Sequence, residues 1–247
     1  MEGLKGPTMK TIRSLCISIA ALLLLTAVAH TQTVINSIPY TITAPGNYVL
    51  GASLTFSPLT GNAITVNAHN VTIDLNGHYL YNPAFGTNTA FAIYSDNKGN
   101  ITVRNGQIIG FYVGVYLNNT TAGTLNAGHL VESVRLTNCG YGIFLATGTT
   151  SVFQNNQIGT TLTGGNEGIG FSGGGGSRVV GNVISGYSNG ADGIRCNSGS
   201  GNYIEGNTLS TCTTGIFMTA SDKYRANTTF NCGTAFSGGT ALFSENN

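Results

Sequence analysis

The stretch Tyr203-Ile-Glu-Gly-Asn-Thr-Leu-Ser-Thr-Cys-Thr-Thr-Gly-Ile-Phe-Met218 lies without a gap on Leu130-Val-Glu-Ser-Val-Arg-Leu-Thr-Asn-Cys-Gly-Tyr-Gly-Ile-Phe-Leu145. Its closing phrase returns as Gly114-Val115-Tyr116-Leu117, Gly168-Ile169-Gly170-Phe171 and Gly193-Ile194-Arg195-Cys196. Degenerate copies sit at Ala92-Ile93-Tyr94 and Ala235-Phe236, so the interval is 20 to 28 residues. A repeat of that length with strand signals and no helical ones points to a stacked solenoid, in which each coil covers the apolar edge of its neighbour.

Working outward from this register, equivalent positions form columns. Cys139, Cys212 and Cys232 share one, with Phe111 and Tyr187 at the same place in other coils. Aromatics alternating with cysteines mark an interior packing position. Successive coils stack about 4.8 Å apart, which leaves two states open for Cys212 and Cys232: reduced, buried thiols or a bridge. A second column holds Asn156, Asn182, Asn207 and Asn227, with Gly106 and Val134 elsewhere. Asparagine tolerates the left-handed backbone of a turn, and its amide can bond the copy one coil along. A third column is aliphatic: Ile108, Leu136, Ile158, Ile184 and Leu209. Each coil therefore reads as two or three short strands, paired in parallel around a narrow apolar core.

The chain opens with Lys5, Lys10 and Arg13, an apolar run from Leu15 to Val28, and the small-x-small site Ala27-Val28-Ala29. This is the pattern of a secretory signal over residues 1–29, and it predicts a secreted or periplasmic protein. The apolar run is short for a membrane span, and no second one follows. The signal removes Lys5, Lys10, Arg13 and Glu2 from ten basic and nine acidic residues, which leaves a formal charge of −1. No basic field remains to hold a phosphate backbone, so nucleic acid is not an expected partner.

The pattern Ile-x-Gly-Asn-x-Ile followed by Gly-Ile, clearest from Ile204-Glu-Gly-Asn-Thr-Leu209 to Gly215-Ile216, resembles the right-handed parallel β-helix repeat of pectin-lyase-like proteins. Tyr40-Thr-Ile-Thr-Ala-Pro-Gly-Asn-Tyr-Val-Leu50 resembles the lead-in strands that cap such helices, and Asn70-Val-Thr-Ile-Asp-Leu-Asn-Gly-His78 resembles the first full coil. The resemblance implies an all-β fold: a single-stranded right-handed parallel β-helix, or solenoid, of about eight coils with an N-terminal cap. The implied layout is signal peptide 1–29, cap and lead-in strands 30–61, and β-helix 62–247. It implies no single reaction, because the fold hosts lyases, glycosidases, epimerases and adhesins.

Side chains alternate along a strand. If the Ile of each Gly-Ile points inward, the next residue points outward, giving the column Tyr94, Tyr116, Phe144, Gly170, Arg195 and Phe217. Tyr94, Tyr116, Phe144 and Phe217 are the candidate ligand-binding residues: either loops bury this row, or it faces a sugar or protein partner. Glu167 and Asp192 each precede the Gly of their coil and are expected to be neighbours, beside Gly170 and Arg195. Glu167, Asp192 and Arg195 are the candidate catalytic residues. Two carboxylates about 5 Å apart match a retaining glycosidase pair. They equally match a hard cation such as Ca²⁺ at Glu167/Asp192, or a plain surface ion pair with Arg195. Lyases of the family carry several Asp ligands plus an Arg or Lys base, and its glycosidases three clustered Asp; neither set is complete here. Another outward column, Asp74, Arg104, Glu132, Gln154, Val180, Glu205 and Arg225, alternates in charge at first and reads as a structural ion ladder. His69, His78 and His129 share no coil position, so no metal site is expected, and no cofactor.

The function expected from these residues is that of an exported, non-catalytic protein with an extended face for a polysaccharide or cell-surface partner. One alternative is a carbohydrate-active enzyme, a polysaccharide lyase or glycoside hydrolase, at Glu167, Asp192 and Arg195. Another is a structural or adhesive solenoid.

Overall fold

A computed structural model describes residues 32–119, 128–162 and 165–242. The signal-peptide reading of residues 1–29 lies outside them. The described chain contains strands and turns and no helix. One sheet takes a single strand from each coil: Tyr40–Ile42, Asn62–Val66, Phe91–Asp96, Val113–Asn118, Tyr141–Leu145, Glu167–Phe171, Asp192–Cys196, Thr214–Phe217 and Thr234–Ser237. All of these neighbours pair in parallel. The last eight strands bound about seven complete turns of a right-handed β-solenoid. The lead-in strands Thr33–Ile35 and Tyr40–Ile42 form the first rungs of the same ladders.

The second sheet, of sixteen strands, carries two rows per coil. Two long strands, Ile101–Ile109 and Leu130–Thr137, run through both rows and join them. In the coils that follow, the rows separate at a bend, where Asn155 (φ 54°), Gly181 (φ 64°), Gly206 (φ 63°) and Ala226 (φ 51°) adopt the left-handed backbone. The asparagine column lies one residue later. Its role is therefore hydrogen bonding, and the left-handed turn expected of it belongs to its predecessor. Asn182 Nδ2 and the Asn182 amide both donate to Asn207 Oδ1 at 2.9 Å, and Asn156 repeats this onto Asn182 and Asn207 onto Asn227. Each Nδ2 also donates to a strand carbonyl, as Asn182 does to Phe153 O at 2.9 Å. These buried amides are thus satisfied internally, which burial requires.

The inward column of the nine-strand sheet is Ile64, Ile93, Val115, Ile143, Ile169, Ile194 and Ile216, all fully buried. Each such side chain contributes about 2 kcal/mol of apolar burial. The preceding glycine has a different cause. A Cβ on Gly168 would lie 2.6 Å from Gly193 O and 2.5 Å from Ile184 Cγ2, and Gly142 and Gly193 are equally crowded. The aliphatic column of the facing sheet occupies that space, so only glycine lets the two sheets close. Phe111, Cys139, Tyr187 and Cys212 fill the expected interior column, and Cys232 is half-buried. Cys212 and Cys232 are free thiols. Burial pushes the Cys212 thiol up to about 12.

A second polar ladder, invisible in the repeat, crosses the turn into the first row. Ser151 N donates to Ser177 Oγ, Ser177 N to Asn202 Oδ1, and Asn202 N and Nδ2 to Asp222 Oδ1 at 3.0 Å. Thr219 N and Oγ1 donate to Asp222 Oδ2 at 2.9 and 2.8 Å, so this fully buried carboxylate is bonded on both oxygens. His129 begins the column, with both ring nitrogens lacking a partner; burial pulls it down to about 4. Among the described residues no helix is long and apolar enough to cross a membrane.

Candidate functional site

The register places the outward column as expected: Tyr94 pairs Tyr116, Tyr116 pairs Phe144, Phe144 pairs Gly170, Gly170 pairs Arg195 and Arg195 pairs Phe217. Tyr94, Tyr116, Phe144 and Phe217 are half-buried. The Tyr94 and Tyr116 rings stack at 5.1 Å and 2°, and Tyr116 and Phe144 at 5.9 Å and 21°. That separation is close to the strand spacing of about 4.8 Å. The rings therefore turn their faces to one another along the ladder and their edges and hydroxyls outward. Burial raises the Tyr94 and Tyr116 hydroxyls, and the neighbouring Asp96 charge adds to it.

Three further aromatics widen this row into a strip. Phe91 packs edge-on between Tyr94 (5.4 Å) and Tyr116 (5.3 Å), Tyr141 meets Phe144 at 4.8 Å, and Tyr112 links Phe91 to Tyr141 at 6.5 and 5.7 Å. Phe91 and Tyr141 stand three residues before Tyr94 and Phe144, a spacing that recurs in the sequence and signals the second column.

That second column continues from Tyr141 into Glu167 and then Asp192, which are direct register partners. Arg195 Nη1 donates to Asp192 Oδ2 at 2.7 Å, and its Nε lies 3.6 Å from Glu167 Oε1. Its guanidinium also sits 4.7 Å over the Phe217 ring. The three candidate catalytic residues are thus together, but unequal in access. The Asp192 side chain is 4% exposed and Glu167 is 16% exposed. A Cβ on Gly170 would overlap the Glu167 carboxylate, so this glycine makes the space in which the acid rests beside Phe144. Burial drives Glu167 up to about 7, against the pull of Arg195 and with the help of Asp192. Burial likewise raises Tyr141, with Glu167 adding to it, to about 12.

The other outward column falls in register from Asp74 to Arg225. Asp74 pairs Arg104 at 3.1 Å, Gln154 Nε2 donates to Glu132 at 2.9 Å, and Arg225 Nε donates to Glu205 at 2.6 Å. His69 Nδ1 accepts from Gly99 N at 2.9 Å. Among the described residues no three His, Cys, Asp or Glu converge as a metal site.

A family described as right handed beta helix region matches residues 91–247. No curated protein matches the sequence. Two solved structures are similar in fold. One is the full-length tailspike protein 2 of Escherichia coli O157:H7 bacteriophage CAB120, with TM-score 0.61 and 19% identity, covering 86% of this chain and 34% of that one. The other is the enzymatically active domain of bacteriophage CBA120 tailspike protein 2, with TM-score 0.62 and 18% identity, covering 88% of this chain and 38% of that one. The chain spans little more than a third of either tailspike chain, and at such identity the likeness is one of fold.

Proposed function

Because this chain belongs to the right-handed β-helix family, whose coils hold outward columns in register, we propose that it is an exported, non-catalytic protein that binds carbohydrate along the nine-strand sheet. One observation carries the reading. Six aromatic rings, five half-buried and Tyr112 exposed, form a continuous strip that ends at Glu167 and Arg195. Ring edges and tyrosine hydroxyls give both apolar and hydrogen-bonding contact to a saccharide lying across the coils.

Catalysis is the second reading, supported by Glu167. A carboxyl held near 7 suits a general acid. Against it, the pair needs two carboxylates that reach the substrate, and Asp192 is closed off and held by Arg195. A Ca²⁺ between Glu167 and Asp192 would have to displace Arg195 and find several more oxygen ligands. Chelation is therefore expected to leave glycan binding unchanged.

The test is a glycan array and a polysaccharide-digestion assay on the exported chain. Binding without turnover, lost in Tyr116→Ala and Phe144→Ala, supports the proposal. Product release that Glu167→Gln abolishes replaces it with the enzyme reading. Silence in both assays leaves the structural or adhesive solenoid.

A further inference from the structure

Among the described residues, the acid at the end of the aromatic strip has an ion-pair partner but accepts no hydrogen bond. Asp192 and Arg195 neutralise each other at 2.7 Å, out of contact with solvent on the Asp192 side. The remaining reach of Arg195 is taken up by Asn197 Oδ1 at 3.3 Å and by the Phe217 ring at 4.7 Å. Glu167 is left with the Arg195 Nε at 3.6 Å, beyond hydrogen-bond distance. Among the described residues no donor reaches either of its oxygens. The carboxylate rests over Gly170, with Phe144 against it and Tyr141 its register partner. An acceptor flanked by ring edges and faces is matched by a ligand that supplies a positive N–H donor. A uronic or sulfated polymer has the opposite problem, because Arg195, the cation among the described residues at this end of the strip, is already paired.

Resting on the carbohydrate reading of this face, we propose that its glycan carries unacetylated amino sugars, with one ammonium group received by Glu167 between Tyr141 and Phe144. The charged and titratable groups that face this carboxylate are Tyr141, Asp192, Arg195 and, from the core side, Cys196.

The test compares calorimetric binding of chitosan, chitin and galacturonate oligomers of matched length to the full chain. Chitosan is expected to bind about tenfold or more tighter than chitin, the scale of one charge-assisted hydrogen bond, with galacturonate weakest. Glu167→Gln, which keeps the side-chain shape, should abolish the preference, so that chitosan and chitin bind this variant equally. A guanidinylated chitosan oligomer, which keeps both its N–H donors and its charge across this range, should lose affinity as the pH falls through about 7, where Glu167 takes up a proton. Equal binding of chitosan and chitin, or a preference for galacturonate, overturns this inference while the glycan-binding face stands. Absence of binding to every glycan on the array overturns both.

Discussion

Two residues show how burial sets the energetics of single positions. Glu167 has a folded-state value of about 7 against an ordinary 4.5, so the folded chain holds a proton that the unfolded chain has released. The contribution of Glu167 to stability is therefore greatest below 4.5, falls as the pH rises towards 7, and stays reduced above it. The loss is at most about 3 kcal/mol. Because His129 opposes it over much of this range, the fall is read as the difference in urea unfolding between the native chain and Glu167→Gln, a difference that should shrink to nothing below 4.5. His129 acts in the other direction. Its folded value of about 4 lies below the ordinary 6.5, so stability is complete above 6.5 and declines as the pH drops towards 4. Asn182 carries a different burden. In Asn182→Ala, Asn156 N and Nδ2 lose their acceptor, and Asn207 Oδ1 loses one of its donors. A cost of about 3 kcal/mol is expected in urea unfolding, since buried donors are left unpaired. The asparagine column was legible because the same letter returns in four coils. The Ser151–Asp222 ladder was not, because Ser, Asn and Asp share the task and no single letter repeats. The closure of Asp192 was also hidden, since adjacency in the repeat says nothing of depth.

Within a strand, the alternation of inward and outward positions explains most of what the repeat revealed. Ile169 points in and Gly170 out, so the register of one strand defines the whole outward column. What the alternation could not give is ring orientation. The row Tyr94, Tyr116, Phe144 reads equally well as flat faces open to a sugar, yet the rings stack on one another. The glycine before each inward residue is an element-level device, set by how closely two sheets approach. Gly168→Ala would press a methyl group between Gly193 O and Ile184 Cγ2. A loss of about 2 kcal/mol or more is expected from such overpacking, read as a lowered Tm. The equivalent Ala92 is native, which places the tighter closure in the later coils.

At the scale of the whole solenoid, the strand pairing of each coil is with its immediate neighbours, so local stability follows local burial. Central coils bury their inward residues completely, whereas Thr228–Phe230, Thr234–Ser237 and Thr240–Ala241 are largely exposed or half-buried. Hydrogen exchange should therefore be fastest in Thr228–Ala241 and slowest around Ile143, Ile169 and Ile194. Equal protection along the chain would mean that the coils unfold as one unit. The order of the coils was readable from the interval between Gly-Ile pairs, although the expected eight coils are about seven complete turns. Burial at the last coil was not, because it depends on what covers a rung rather than on the rung itself. The asparagine ladder has one more implication. Asn182 and Asn207 are interchangeable members of a series, each bonding forward in the same way. The segment from Gly181 to Glu205 is consequently a cassette: spliced in twice, it would find both its seams already complementary. Each added copy would lengthen the molecule by one strand spacing, about 4.8 Å. The chain can be read as a ruler whose graduations are amide groups, and its length as a quantity that duplication or deletion adjusts in fixed steps.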